Sequence, residues 1–372
     1  MKKTFLEIQN EIYNLLGKTV SDTDGRSSTL LTSIKLRVNL VQSEIEDSYS
    51  HAGVYPFWLK NTKRFATVAE YTTGTVSITK DTKALVGVGT TFTQDFVGRK
   101  FYIEDDDHDF EYEIASFTDT THLTLKYDYL GTTVSGGSYV IFKDTYRLTR
   151  NFKVLATVFN LSDNNEMSVI TKERMMEGFN DGSFDRKETD TPVRLALWDL
   201  TEDTYYSTGT VAVTSASAAI VGTNTVWTSD MIGMTFRVNG TSREYEISTV
   251  TDGTHLTIDA VYEGTTNATA TYAIDPPGVQ LVRLHRPPDE AQQIEYGYIY
   301  RLPMLVGNND VSRIPDHKAL IYGAYWQLVL YDGMNGSMDE PTAKRNYNSA
   351  LSDLGNIANK ADVDMHCGVY YK

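Results

Sequence analysis

The densest group of oxygen donors in the chain is the run Glu104, Asp105, Asp106, Asp107, His108, Asp109. Loops of this kind bind calcium through carboxylates, and Asp105, Asp107 and Asp109 are the candidate ligands. The run lacks the glycine and the spaced glutamate of a helix–loop–helix calcium site. Its plainer reading is a solvated hairpin tip. His122 and His255 each stand between Thr and Leu, in "THLTL" and "THLTI". Neither has a second His or Cys nearby at metal-ligand spacing. Both read as turn-to-strand junctions. Cys367 lies in the C-terminal tail and is not read as a nucleophile. The chain has no GxSxG, HExxH or GxxxxGK[ST] pattern. "GVGTTF" at 87–92 is glycine-rich, but strand-like sequence comes after it, so it reads as a turn and not as a phosphate cradle. No catalytic residue and no cofactor is expected.

The bulk numbers narrow the classes further. A length of 372 residues predicts more than one domain. One cysteine forms no intrachain disulfide, so the stability is expected from burial, and the composition suits a reducing cytoplasm. Glu7, Gln9, Asn10 and Glu11 interrupt any secretory apolar stretch at the start, so secretion is not expected. No run of eighteen apolar residues exists, so no membrane span is expected. The net charge is -15, from 34 basic and 49 acidic residues. Such a chain repels phosphate on average, which argues against gripping nucleic acid. A passage that lets DNA through without holding it is compatible with like charge.

The elements that carry these residues come in two related copies. "GTVSITKDTKALVGVGTTF" at 74–92 returns as "GTVAVTSASAAIVGTNTVW" at 209–227, an offset of 135. The offset becomes 133 after the acidic run, which is two residues longer than its counterpart. "EYEI" at 111–114 then answers "EYEI" at 244–247, and "YLGTT" at 129–133 answers "YEGTT" at 262–266. Apolar and polar residues alternate in each copy, with glycine between the runs. Each copy is expected to form about six short strands closing into a small barrel or sandwich.

The remainder carries helical stripes. Phe5, Ile8, Ile12, Leu15 and Leu16 form one, with Gly17 as its stop, and Leu30, Ile34, Val38, Val41 and Ile45 form another. "TKERMMEGF" predicts a short helix capped by Thr171, with Glu173 in its first turn. "FKVLATVFNL" and "VRLALWDL" read as buried strands. "VQLVRLHRPP" and "QIEYGYIYRLP" read as two more. Helices are expected after Pro315 and over "EPTAKRNYNSALSDLGNIANKA". The aromatic stretch "YGAYWQLVLYDG" at 322–333 reads as core or subunit interface. The expected architecture is multi-domain α+β: a discontinuous helical core with a few central strands, carrying two homologous inserted all-β modules. The core takes residues 1–71, 144–207 and 276–372, and the modules take 72–143 and 208–275.

The frame outside the modules resembles the head-to-tail connector, or adaptor, proteins of tailed bacteriophages. Three segments carry the likeness: "FLEIQNEIYNLLG … SSTLLTSIKLRVNLVQSEIEDS … PFWLKN"; "YRLTRNFKVLATVFNL … MSVITKERM"; and "IEYGYIYRLPMLVGNNDVSRIPDHKALIYGAYWQLVLYDG", continuing to "ALSDL". The modules look like a β-module recurrent in phage virion proteins. The resemblance implies a virion protein, assembled in the host cytoplasm, that forms a dodecameric ring around a DNA channel. It implies portal protein above, a tail or nozzle protein below, and passage of double-stranded DNA during genome ejection. Helices with two apolar edges suit a closing ring, with Ile34, Val38, Val41, Tyr325 and Trp326 as interface candidates. The resemblance assigns the tail after Asp362 to portal docking through Met365, Val369, Tyr370 and Tyr371, in an extended form. The alternative is a host-surface recognition or decoration protein whose modules bind glycan through tyrosines such as Tyr127, Tyr129 and Tyr262.

Overall fold

In the computed structural model the described residues are 2–18, 28–52, 55–104, 110–185, 187–200, 206–241, 243–274, 279–334 and 336–367. The chain divides into two units. The first takes Met1–Asn61, Asn151–Val154 and Tyr298–Lys372, and the second takes Thr62–Arg150 and Leu155–Gly297. Among the described residues the α-helices are α1 (Phe5–Leu15), α2 (Ser28–Ala52), α3 (Lys172–Asn180), α4 (Lys318–Tyr331) and α5 (Glu340–Cys367).

The expected fold class is corrected. The chain is mostly β and 26% helical, so it is not an α+β protein built on a helical core. Among the described residues it holds two seven-stranded antiparallel sheets, each curled into a half-barrel, and two sheets of four strands. The sequence reading counted the strands outside the modules as accessories to helices. They hydrogen-bond instead into sheets of their own. One runs Lys60–Ala66, Gln293–Tyr300, Phe152–Asn160, Asn165–Glu166, and the other Ser168–Ile170, Arg194–Leu200, Gln280–His285, Thr145–Arg147. Two of these strands were expected to be buried and are only partly so. Val154 and Phe159 in one, and Leu200 in the other, face solvent.

In the first unit, α1 opens on a capping box. Thr4 Oγ1 accepts from the Glu7 amide at 3.3 Å, and Glu7 Oε2 accepts from the Thr4 amide at 2.7 Å. Gly17, at φ +66°, ends the helix in the left-handed region that glycine enters freely. Phe5, Ile8 and Ile12 of α1 and Ile34, Val38 and Val41 of α2 are fully buried. They share one hydrophobic cluster with Leu320, Ala324 and Leu328 of α4 and Ala343 and Leu354 of α5. Residues from both ends of the chain thus fill a single core. Each buried Ile or Leu contributes about 1.5–3 kcal/mol. The helix α4 is buried on nearly every face, as its all-round apolar sequence requires.

In the second unit, each module is a sheet whose strands take the same spatial order. The first runs Val134–Gly137, Thr75–Ile78, Ala84–Val88, His122–Leu125, Tyr112–Asp119, Lys100–Ile103, Tyr139–Phe142. The two edge strands are consecutive in the chain, with only Ser138 between them, so the sheet must curl to accommodate them. The interior is filled with aromatics at matching positions. Phe92, Phe101, Tyr129 and Tyr139 in one copy answer Trp227, Phe236, Tyr262 and Tyr272 in the other, and all are buried. The registers agree as well. Phe101 pairs with Tyr112 where Phe236 pairs with Tyr245.

Also in this unit, α3 forms where its sequence predicts. Thr171 Oγ1 accepts from the Arg174 amide at 3.1 Å, capping the first turn.

Candidate functional site

Asp105, Asp107 and Asp109 lie outside the described residues. Among the described residues no group of three or more His, Cys, Asp or Glu is placed to hold a metal ion.

The duplicated histidines have an identical setting. In the first module Asp119 Oδ1 accepts from the Thr121 amide at 2.8 Å, from Thr121 Oγ1 at 2.8 Å and from His122 Nδ1 at 2.9 Å. In the second, Asp252 Oδ1 accepts from the Thr254 amide at 2.7 Å, from Thr254 Oγ1 at 2.8 Å and from His255 Nδ1 at 2.9 Å. His122 and His255 first, then Thr121 and Thr254, hold these carboxyls down to about 2. The arrangement closes a turn by side-chain-to-backbone bonds, and the histidine ring is the third donor to it.

The interface candidates fall elsewhere than expected. Ile34, Val38, Val41 and Tyr325 are fully buried in the chain's own core and offer no surface to a neighbour. Their stripe was legible, but it packs against α4 of the same chain, in a cluster that α1 and α5 complete. Tyr325 donates its hydroxyl to the Met338 carbonyl at 2.9 Å. Trp326 is partly buried, stacked on Tyr347 at 5.7 Å, and its Nε1 donates to Glu340 at 2.9 Å. The tail is also corrected in part. Met365 belongs to α5, which continues to Cys367 and is helical there, not extended. The segment 360–367 has no glycine or proline to stop a helix before Gly368. Val369, Tyr370 and Tyr371 lie outside the described residues. Of the tyrosines considered for glycan stacking, Tyr129 and Tyr262 are interior, and Tyr127 alone is exposed.

Three features escaped sequence reasoning. The first is a buried ionic network in the second unit. Asp144 lies 2.9 Å from Lys100 and 2.6 Å from Arg283, Arg283 lies 2.7 Å from Glu111, and Lys100 also pairs with Glu111. Burial pushes the Asp144 carboxyl up, but Lys100 and Arg283 outweigh it and leave the group below the usual carboxylate range. The Arg283 guanidinium sits 4.7 Å from the Phe179 ring and 5.0 Å from that of Trp198, a cation–π sandwich. The repeated "EYEI" motif supplied the available signal. Its first glutamate takes an arginine from outside its module in both copies, Glu111 from Arg283 and Glu244 from Arg150 at 2.9 Å.

The second is a groove of about 390 Å³ in the first unit, lined by Asn39, Gln42, Glu46, Lys153, Arg301 and Met304 among others. Several of its polar groups are engaged within the wall. Lys153 Nζ is 2.7 Å from Glu46 Oε1, and Glu46 Oε2 accepts from the Leu302 amide at 2.9 Å. The third is a set of exposed apolar side chains in the first module, Phe110, Tyr127 and Leu130.

No family model and no curated protein matches this sequence. Among the described residues no helix is long and apolar enough to cross a membrane.

Proposed function

We propose that the chain is a structural subunit of a phage head-to-tail connector. Copies associate in a dodecameric ring that joins the capsid portal to a tail or nozzle protein and lines a channel for double-stranded DNA. The supporting observation is the shared core of the first unit. The opening and closing segments that carry the resemblance lie mostly in that unit, and Ile34 and Val41 from one share a cluster with Leu320 and Ala343 from the other. A net charge of -15 suits a passage that does not retain phosphate. The subunit contacts of such a ring fall on faces other than the buried stripe of α2. The segment 368–372, with Val369, Tyr370 and Tyr371, supplies portal contacts in this reading.

Electron microscopy of the assembled protein tests it. A closed ring of twelvefold symmetry is expected. A trimeric fibre, or a chain that stays monomeric when mixed with portal, overturns the proposal.

A further inference from the structure

A short segment after α3 closes over a buried histidine in the second unit. His285 ends the strand Gln280–His285 and is 3% exposed. Its ring lies 4.6 Å from the Phe184 ring and 5.9 Å from the Phe179 ring. Phe184 reaches it from residues 181–185, which turn back over the end of α3. The Phe184 amide donates to the Gly178 carbonyl at 2.9 Å, Asp181 Oδ1 accepts from the Ser183 amide at 2.8 Å, and Gly182 turns the chain at φ +74°. The glycine at 178 lets the ring seat, because a Cβ there would lie 2.1 Å from it. Phe179 and Phe184 share a cluster with Met175 and Ala196, both fully buried.

This cover rests on a ring that must stay neutral. Arg194 Nη1 lies 3.5 Å from His285 Nδ1. A guanidinium only donates, so Nδ1 accepts, and it loses that bond if it takes a proton. Nε2 is buried with no hydrogen-bond partner among the described residues. Each element packed on the ring brings charged groups. From its own strand and the residue after it come Arg283, paired with Glu111 and Asp144, and Arg286, paired with Glu188 and Asp190. From the neighbouring strand comes Arg194, which has no carboxylate partner among the described residues. From α3 comes Arg174, paired with Glu177 at 3.7 Å. From the cover comes Asp185, whose carboxyl accepts from the Lys187 amide at 2.8 Å. Burial first, then Arg194 and Arg286, bring the His285 pKa down from 6.5 to about 4, and among these neighbours only the Asp185 backbone favours the proton. A cation–π gain on the Phe184 ring does not compensate, because Arg194 and Arg174 already lie 4.9 Å and 5.9 Å from it.

We propose that residues 181–185 form an acid-released lid: protonation of His285 unseats Phe184 and opens the cluster of Met175, Phe179 and Ala196 to solvent. The sign follows from the depressed folded value. The closed lid has its full stability above the ordinary 6.5 and loses it as pH falls toward 4. That window lies above the one in which Asp144 gives way, below 3.8. The inference goes beyond the connector reading and does not rest on it.

Hydrogen exchange on the full chain, corrected for the intrinsic pH dependence of amide exchange, tests it. Opening at the Phe184 amide is expected to rise about 50-fold between pH 7 and pH 4.5, while the strand Thr75–Ile78 keeps its protection. His285→Gln, which takes up no proton, is expected to flatten the response. Arg194→Met keeps the imidazole and removes the cation that faces it. It is expected to shrink the response, and it decides the matter should His285→Gln melt early. Protection of the Phe184 amide that does not change with pH overturns the proposal. So does an undiminished response in the deciding variant, or a loss shared equally by Thr75–Ile78, which marks unfolding of the whole unit and not a lid.

Discussion

Removing Asp144 alone leaves two cations, Lys100 and Arg283, facing a single carboxylate, Glu111. Removing Arg283 alone leaves two carboxylates facing Lys100. Removing both leaves the neutral pair of Lys100 and Glu111. The side chains of Asp144 and Arg283 are 2% and 6% exposed, so solvent does little to screen an orphaned charge. Breaking one partner out of a buried pair costs about 3–5 kcal/mol. The Lys100 and Glu111 side chains keep 20% and 11% exposure, which places this network at the low end, about 3 kcal/mol. Asp144→Ala and Arg283→Met are each expected to destabilise the second unit by that amount. The double variant is expected to be more stable than either single one, because no charge is left unpaired. Urea unfolding monitored by tryptophan fluorescence measures the three values. Hydrogen exchange at Lys100–Ile103 and Gln280–His285 localises the loss. The network also carries a pH signature. The Asp144 carboxyl is depressed below 3.8, so its contribution is present above that value and is lost as pH falls through the lower folded one. Asp144→Ala is expected to remove this part of the acid limb. Single variants within about 0.5 kcal/mol of the native chain, or a double variant equal to the sum of the singles, refute the reasoning.

Three further predictions concern the modules and the core. Gly74 and Gly209 both sit at φ +81°, and a Cβ there would lie 2.5 Å from the Val88 carbonyl oxygen and 2.3 Å from that of Thr223. Gly74→Ala and Gly209→Ala are each expected to cost more than about 2 kcal/mol by thermal or urea unfolding, and a neutral result refutes the turn geometry. Gln9 is fully buried with neither side-chain polar atom hydrogen-bonded among the described residues. Gln9→Leu is expected to stabilise the first unit by about 1–2 kcal/mol, and a lowered melting temperature counts against it. Asp119 and Asp252 are held to about 2, below the ordinary 3.8, so each stabilises its turn above 3.8 and loses that effect as pH falls toward 2. Carbon NMR titration of the two carboxyls is expected to give matching midpoints near the lower value, and ordinary midpoints contradict the turn.

Much of this protein is written locally. The alternating strands of the two sheets, the stripe of α1 with its stop at Gly17, and the Thr171 cap all depend on residues a few positions apart, and the structure contains each one. Strand period and helix period are local properties of the backbone, so these elements could be read directly. Pairing is not local. The strand Phe152–Asn160 was legible as a strand, but nothing in "FKVLATVFN" says that it joins Gln293–Tyr300 in a sheet, and the underestimate of β content came from that gap. The same holds for function. The stripe Ile34, Val38, Val41 announces an apolar face, but only the tertiary structure decided that α4 covers it and that it is fully buried within its own chain. Tyr127 and Tyr129 are two residues apart and identical in kind. One is in the core and the other in solvent, because the chain bends at 126–127 once the strand His122–Leu125 has ended, and residues two apart no longer share a face. The assembly of Lys100, Glu111, Asp144 and Arg283 was equally beyond a linear reading. Charges so far apart in the chain meet only when a folded core removes the water between them.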